Sequence, residues 1–256
     1  LVTGNDRDGI GYIASYSYAL GEQCAPKAAQ LERYIENGGN PKYDLRDRTR
    51  YPKPVDACHW FIDSRIAGLS FPRIGDVAGP DKAYGLWMDN LAPQLRLGWR
   101  WTRDPRFAAA LVRHFARDGE SDAEWTAIEE AAAGVGRSPF WSGRSRIVAN
   151  WFGLIESGWE YDDSRGRRHA MLRVGQGWGH AHHDTLDLQV FAHGLPMTID
   201  GGQRNGYSRP ADSITAVHNL VEVDRRNWRG HSWVTALNDQ EGARYLAAEA
   251  TPPRNH

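Results

Sequence analysis

Residues 179–192 read Gly179-His180-Ala181-His182-His183-Asp184-Thr185-Leu186-Asp187-Leu188-Gln189-Val190-Phe191-Ala192. Three imidazoles and a carboxylate crowd the first six positions, and after them Leu186, Leu188, Val190 and Ala192 alternate with Asp187, Gln189 and Phe191. A period of two is what a strand with one buried face requires. On an extended backbone leading into that strand, His180 and His182 point to one side and His183 to the other.

The same texture spreads on both sides of this stretch. Ile147-Val148-Ala149-Asn150-Trp151-Phe152-Gly153-Leu154-Ile155 is rich in strand formers. Further strands are expected at His169–Val174, Pro196–Asp200, Val217–Val223 and Ser232–Leu237, separated by Gly, Asn and Asp turn signals. Upstream of about Ser138 the pattern is helical instead. Leu31, Tyr34 and Ile35 predict a helix over Pro26–Asn37, with Pro26 in its first turn and Gly38-Gly39 ending it. Asp104 is placed to cap a second helix, with Phe107, Leu111, Val112 and Phe115 on one face. Ser121 and Glu124 form a capping-box pattern leading into Trp125, Ile128 and an alanine-rich run to Gly134. Loops are expected around Lys42–Pro54 and Phe71–Lys82.

Segregated helices and strands define an α+β chain, helical over 1–137 and antiparallel β over 138–256, with a cleft between the halves where a site could lie. The chain has 256 residues, 41% hydrophobic and 25% charged, close to ordinary globular usage. Every longer apolar run is broken by Arg, Asp or Gly well before the roughly 20 residues a membrane span needs, so a soluble chain is expected. A net charge of -1 gives no long-range field for a polyanion. Nucleic acid is therefore disfavoured as a partner, and an acidic substrate must be held by a local patch. The 11 Trp and 10 Tyr suit stacking on sugar rings, but taken alone they favour bulky core side chains. Cys24 and Cys58 lack metal-type spacing and leave their pairing open. The opening Leu1-Val2-Thr3-Gly4-Asn5 has neither an initiator Met nor a signal-peptide pattern, and reads as a start inside a longer protein.

Two later positions extend the histidine cluster. Asp200 ends one expected strand and His218 begins the next. Imidazole and carboxylate donors converging from neighbouring strands suit zinc, whereas Mg²⁺ or Ca²⁺ would want more oxygens. An isolated His-x-His pair is more often plain polar surface, and Asp200 with His218 is what weighs against that reading here. An HxHxD opening also occurs in binuclear metallo-hydrolases, but those need a further His straight after the Asp, where this chain has Thr185.

The ordered set Gly179-His180-Ala181-His182-His183-Asp184, Leu188, Gly194, Asp200-Gly201-Gly202, Tyr207 and His218-Asn219 resembles the heparinase II/III-type polysaccharide lyases. The resemblance is concentrated in Gly175–Asp224. It implies the C-terminal part of an (α/α) helical toroid followed by an incomplete antiparallel β-sandwich. It further implies β-elimination on a uronic-acid-containing acidic polysaccharide, a glycosaminoglycan or alginate, by a secreted or periplasmic enzyme. Carried over residue by residue, His180 is the catalytic histidine, and His182, Asp200 and His218 are ligands of a largely structural zinc. His183 receives no role. The segment after Asp8-Gly9 resembles the one that carries the catalytic tyrosine, with Tyr18 the first choice and Tyr16 the second. Groups that neutralise the substrate carboxylate lie upstream of that tyrosine in the family, so they are expected outside this chain. Arg204 and Asn205 are local donor candidates, and Trp178 is a candidate for stacking on a sugar, or for simply covering the sheet edge. Two other functions compete: a non-catalytic glycan-binding relative that keeps the zinc, and a zinc hydrolase.

Overall fold

The computed structural model describes residues 16–69, 72, 74–75, 92–136, 138–148, 151–158, 164–175, 182–198, 200, 213–227, 230–240 and 242–251, with the side chains of 16–24 outside that set. Among them, helices precede strands, which makes the chain α+β. The helices are α1 (Tyr16–Glu36), α2 (Lys53–Asp63), α3 (Ala92–Thr102), α4 (Pro105–His114) and α5 (Asp122–Ala133). Two antiparallel sheets follow. Strands β1 (Arg146–Val148), β2 (Phe152–Gly158), β3 (Arg167–Arg173), β4 (Leu188–Ala192) and β5 (Leu195–Pro196) pair in chain order, and β6 (Ser232–Gln240) pairs with β7 (Ala243–Ala250).

The helix starts follow local chemistry. Asp104 accepts the Arg106 amide at 2.9 Å, with Pro105 opening α4, and Ser121 accepts the Glu124 amide at 3.2 Å ahead of α5. Each side chain thereby satisfies an amide that has no partner within the helix. Three helix expectations change. Helix α1 is already formed at Tyr16, the first described residue, and carries Pro26 in its interior rather than its first turn. Helix α2 begins at Lys53, at the end of a stretch read as loop, and Val112 is exposed. On α3, Gly98 sits where any Cβ would overlap the Phe107 ring, so the glycine is what lets α4 approach.

The strands depart from expectation in an instructive way. The run from Ile147 to Ile155 is a hairpin of β1 and β2, with Ile147 opposite Gly153, rather than one strand. Of the described residues leading to Asp200 only Leu195–Pro196 are in a strand, and in place of the strand expected at Val217–Val223, Val217 ends a short 3-10 helix (Thr215–Val217) and residues 218–223 form no strand. Val221 and Val223, read as strand residues, are among the most exposed apolar side chains. The alanine-rich β7 had no strand signature at all; it forms because Gly242 closes a turn and β6 supplies a partner along its whole length.

In β4 the alternation is present but the face is reversed. Gln189 and Phe191 are buried while Leu188 is 40% exposed. Register explains this: Met171 lies opposite Gln189 and His169 opposite Phe191, and Met171 and His169 belong to the buried face of β3. Paired side chains share a face, so β4 must turn its polar set inward. That face packs on the helices, since Phe152, Leu154 and Met171 share one core with Phe61, Ile62, Leu95 and Phe107. The opposite face meets the second sheet where Gly153 lies under Leu246.

Between helices and sheet runs a polar seam. Arg146 donates to the Asp63 carbonyl from Nε (3.1 Å) and Nη2 (2.6 Å), and Arg167 donates to the Ala67 carbonyl at 2.7 Å. Arg65, fully buried, donates to the carbonyls of Phe61 and Leu69 and lies 4.2 Å over the Phe140 ring. These guanidinium groups supply donors to carbonyls at the end of α2 and in the turn after it, where helical partners run out. Beside them Glu156 accepts from Ser142 Oγ (2.7 Å) and the Gly143 amide (3.1 Å) and pairs with Arg146 at 2.8 Å. His169 Nδ1 stands 3.2 Å from Glu156 Oε1 and 3.3 Å from the Ala67 amide. The Ala67 amide donates to this nitrogen, which also sits beside the buried Glu156 carboxylate. Burial alone would raise the Glu156 carboxyl, but His169 and the Arg146 charge outweigh it and hold the group at about 2.

This sets a pH signature. A carboxyl depressed from 4.5 to about 2 stabilises the fold above pH 4.5, and that contribution, about 3 kcal/mol, is lost as the pH falls towards 2. Glu156→Gln is expected to lower stability at neutral pH by about 3 kcal/mol, because the part-buried Arg146 is left without its buried counter-charge. Urea melts from pH 7 down to pH 2 should show the difference between the two proteins shrinking across that window; a constant gap would mean that the carboxylate is not the source.

Candidate metal centre

The loop between β3 and β4 is pinned from several sides. The Leu186 amide donates to the Arg173 carbonyl (3.0 Å), and the Arg173 amide donates to the Asp187 carbonyl (2.9 Å). His183 donates its amide to the Ser213 carbonyl at 2.9 Å, and Leu188 donates to the Asn219 carbonyl at 3.0 Å. These contacts bring the segment 213–219 alongside the histidine loop. Leu186 takes φ +67, a left-handed conformation that costs a branched residue energy and is held here by the bonds around it.

Inside this frame lie three buried carboxylates. Asp184 is accounted for: Arg173 Nε lies 3.0 Å from its Oδ1, and its Oδ2 accepts the Gly75 amide at 3.1 Å, a contact that reaches back to the helical half. Asp187 and Asp200 remain, and with His218 they bring one ligand-type atom each to within 4.8 Å of one another. Asp187 Oδ1 accepts the Asn219 amide at 2.7 Å, and its Oδ2 accepts from Gln189 Nε2 at 2.9 Å. His218 Nδ1 is 2.7 Å from Asp200 Oδ2, and its Nε2 is buried with no hydrogen-bond partner among the described residues.

The electrostatics match this crowding. Burial, and then the neighbouring Asp200 charge, push the Asp187 carboxyl up to about 7. Burial would lower the His218 imidazole, but its hydrogen bond to Asp200 and the charges of Asp200, Asp184 and Asp187 raise it instead. Two adjacent buried carboxylates repel unless positive charge sits between them. An imidazole nitrogen without a partner, next to two such carboxylates, fits a bound divalent cation.

Of the expected ligands, Asp200 and His218 are brought together. His182 is buried, and its ring centroid lies 5.4 Å from that of His218, with the planes tilted by 45°. The third close donor is Asp187, which the sequence reading passed over. Its signal was present as a carboxylate in the alternating run, but the apolar set Leu186, Leu188, Val190 and Ala192 was read as the buried face, and that assigned Asp187 to solvent. His180, Trp178, Arg204, Asn205 and Tyr207 lie outside the described residues. Tyr16 and Tyr18 lie in α1, with their side chains outside the described set. Cys58 is a buried free thiol, pushed up to about 12 by burial, and the Cys24 side chain is not among those described.

Solved structures with a similar fold include a heparinase III gene product with methylated lysines, at TM-score 0.59 and 12% identity, covering 98% of this chain and 35% of that one. The heparan sulfate lyase HepC from Pedobacter heparinus is similar at TM-score 0.59 and 15% identity, covering 98% and 36%. No family model and no curated protein sequence matches the chain. The chain thus spans about a third of the length of these lyases. At such identities the likeness is one of fold: the chain has an α+β fold similar to that of heparan sulfate lyases.

Proposed function

We propose that this chain is part of a polysaccharide lyase that cleaves a uronic-acid-containing acidic polysaccharide by β-elimination. The observation that carries the reading is the buried Asp187, Asp200 and His218 set, with His182 beside it, in a fold similar to heparan sulfate lyases. On this reading residues 1–137 are the C-terminal part of a helical toroid and residues 138–256 an incomplete β-sandwich. The working enzyme is periplasmic or secreted; no described helix is long and apolar enough to cross a membrane.

Elimination breaks the C5–H bond of the uronate, forms a C4=C5 double bond and expels the C4 oxygen with its electron pair. The C5 proton is weakly acidic, so donors must neutralise the neighbouring carboxylate as charge builds there. We assign His180 as the base that takes the C5 proton and Tyr18 as the acid that protonates the leaving oxygen, with Tyr16 the alternative; the two roles can exchange with substrate stereochemistry. Arg204 is a donor candidate for the carboxylate, and Trp178 is a stacking surface for a sugar ring. His182, Asp200 and His218 would hold zinc. When bound, the metal would tie the β3–β4 loop to the segment around His218 rather than act on the substrate. His180, two residues before His182, would be held in the cleft by that tie.

The test is ultraviolet absorbance of unsaturated uronate products from the full-length protein on a panel of glycosaminoglycans and alginate. Absence of such products on every polymer, with zinc retained, would favour a non-catalytic glycan-binding protein. Saturated products with two metals per chain would favour a hydrolase. His180→Ala is expected to keep zinc and lose about 100- to 10,000-fold in turnover. His182→Ala and His218→Ala are expected to lose metal and thermal stability together, read by metal analysis and calorimetry; full zinc occupancy in His218→Ala would remove that residue from the ligand set.

A further inference from the structure

Resting on the zinc reading above, we infer that Asp187 is a direct ligand which, with His182, Asp200 and His218, closes the metal's coordination sphere to water and substrate. Three observations converge on this. The first is distance: Asp187, Asp200 and His218 each place a donor atom within 4.8 Å of the others. Two imidazoles on one tetrahedral zinc, with Zn–N of about 2.1 Å, have ring centroids about 5 Å apart. The His182 and His218 rings stand 5.4 Å apart, near that spacing, while His182 lies outside the 4.8 Å set, so it would join the other three by a turn of its ring when the ion binds.

The second is charge. Asp184 is neutralised by Arg173, leaving Asp187 and Asp200 as the buried anions of the cluster. A dication with two carboxylates and two neutral imidazoles is electrically balanced, whereas three ligands without Asp187 would leave one buried carboxylate uncompensated beside the ion. The third is orientation. Each Asp187 oxygen already accepts one hydrogen bond, from the Asn219 amide and from Gln189 Nε2. A carboxylate oxygen has two lone pairs, so one on each remains for a cation, and the two donors fix where it points. The Asn219 amide is the peptide group next to His218, so one side chain holds both its own oxygen and the backbone of a second ligand.

Four protein donors make a closed, structural site, while three and a water make an open one. The two differ in response to small anions. In the full-length protein loaded with cobalt(II) in place of zinc, the visible spectrum is expected to be that of a four-coordinate ion and to stay unchanged in excess azide. Asp187→Asn keeps an oxygen that can accept the Asn219 amide but loses the charge. It is expected to weaken zinc affinity at least about tenfold, by chelator competition, and to make the cobalt spectrum shift with azide. A wild-type spectrum that shifts with azide, or an Asp187→Asn protein with wild-type zinc affinity and an azide-silent spectrum, would overturn the assignment and leave Asp187 a purely positioning residue. His218→Ala separates the two levels of the argument. If it loses metal while Asp187→Asn does not, only the fourth ligand fails; if the wild-type protein binds neither zinc nor cobalt, the zinc reading falls with it.

Discussion

The rest of the structure depends on a buried polar seam between helices and sheet. The carbonyls of Phe61, Asp63, Ala67 and Leu69 leave the end of α2 and its following turn without helical partners. Guanidinium groups of Arg65, Arg146 and Arg167 supply them with donors. Apolar packing alone would let a sheet slide over a helical layer with little change in buried area. Fixed donors and acceptors at low dielectric do not allow that, because each slipped group would stay buried without a partner. Glu156, Arg146 and His169 therefore define where β1, β2 and β3 sit against α2.

From that seam the placement of the candidate metal centre follows. Once β3 is set, the register Met171 with Gln189 and His169 with Phe191 determines which side of β4 faces the helices. Asp187, two positions before Gln189, lies on the same side and enters the interior. Asp184, one turn earlier, is tied to Arg173 of β3 and to Gly75 of the helical half. The carboxylates that would hold a cation are thus positioned by the contacts that join the two halves, and a disturbance at the junction would reach the site through a few strong bonds rather than through a soft apolar layer.

The inward polar face also explains why the buried acids are tolerated. A carboxylate inside a protein needs donors or positive charge. Asp184 has Arg173, and Asp187 has the Asn219 amide and Gln189. Asp200 has His218. What these partners leave is an excess of negative charge around one imidazole nitrogen. A solvated histidine loop on the surface would not combine these features.

Much was legible from the chain alone where the cause is local. Asp104 and Ser121 cap helices because a short acceptor side chain bonds an amide two or three residues on, and that chemistry needs no distant partner. The order of helices before strands, and the convergence of Asp200 with His218, were also readable from spacing and residue type. Other features required the assembled fold. The strand β7 has no periodic signature and exists because β6 lies beside it, and Pro26 is carried inside α1 by the turns on either side of it. The buried side of β4 could not be read from its own alternation, since hydrophobic and polar sets exchange faces with a one-residue shift in register. That shift is decided by the partner strand, so the sequence by itself singled out Asp200 and His218 as candidate metal donors, while only the tertiary structure decided that Asp187 is buried beside them.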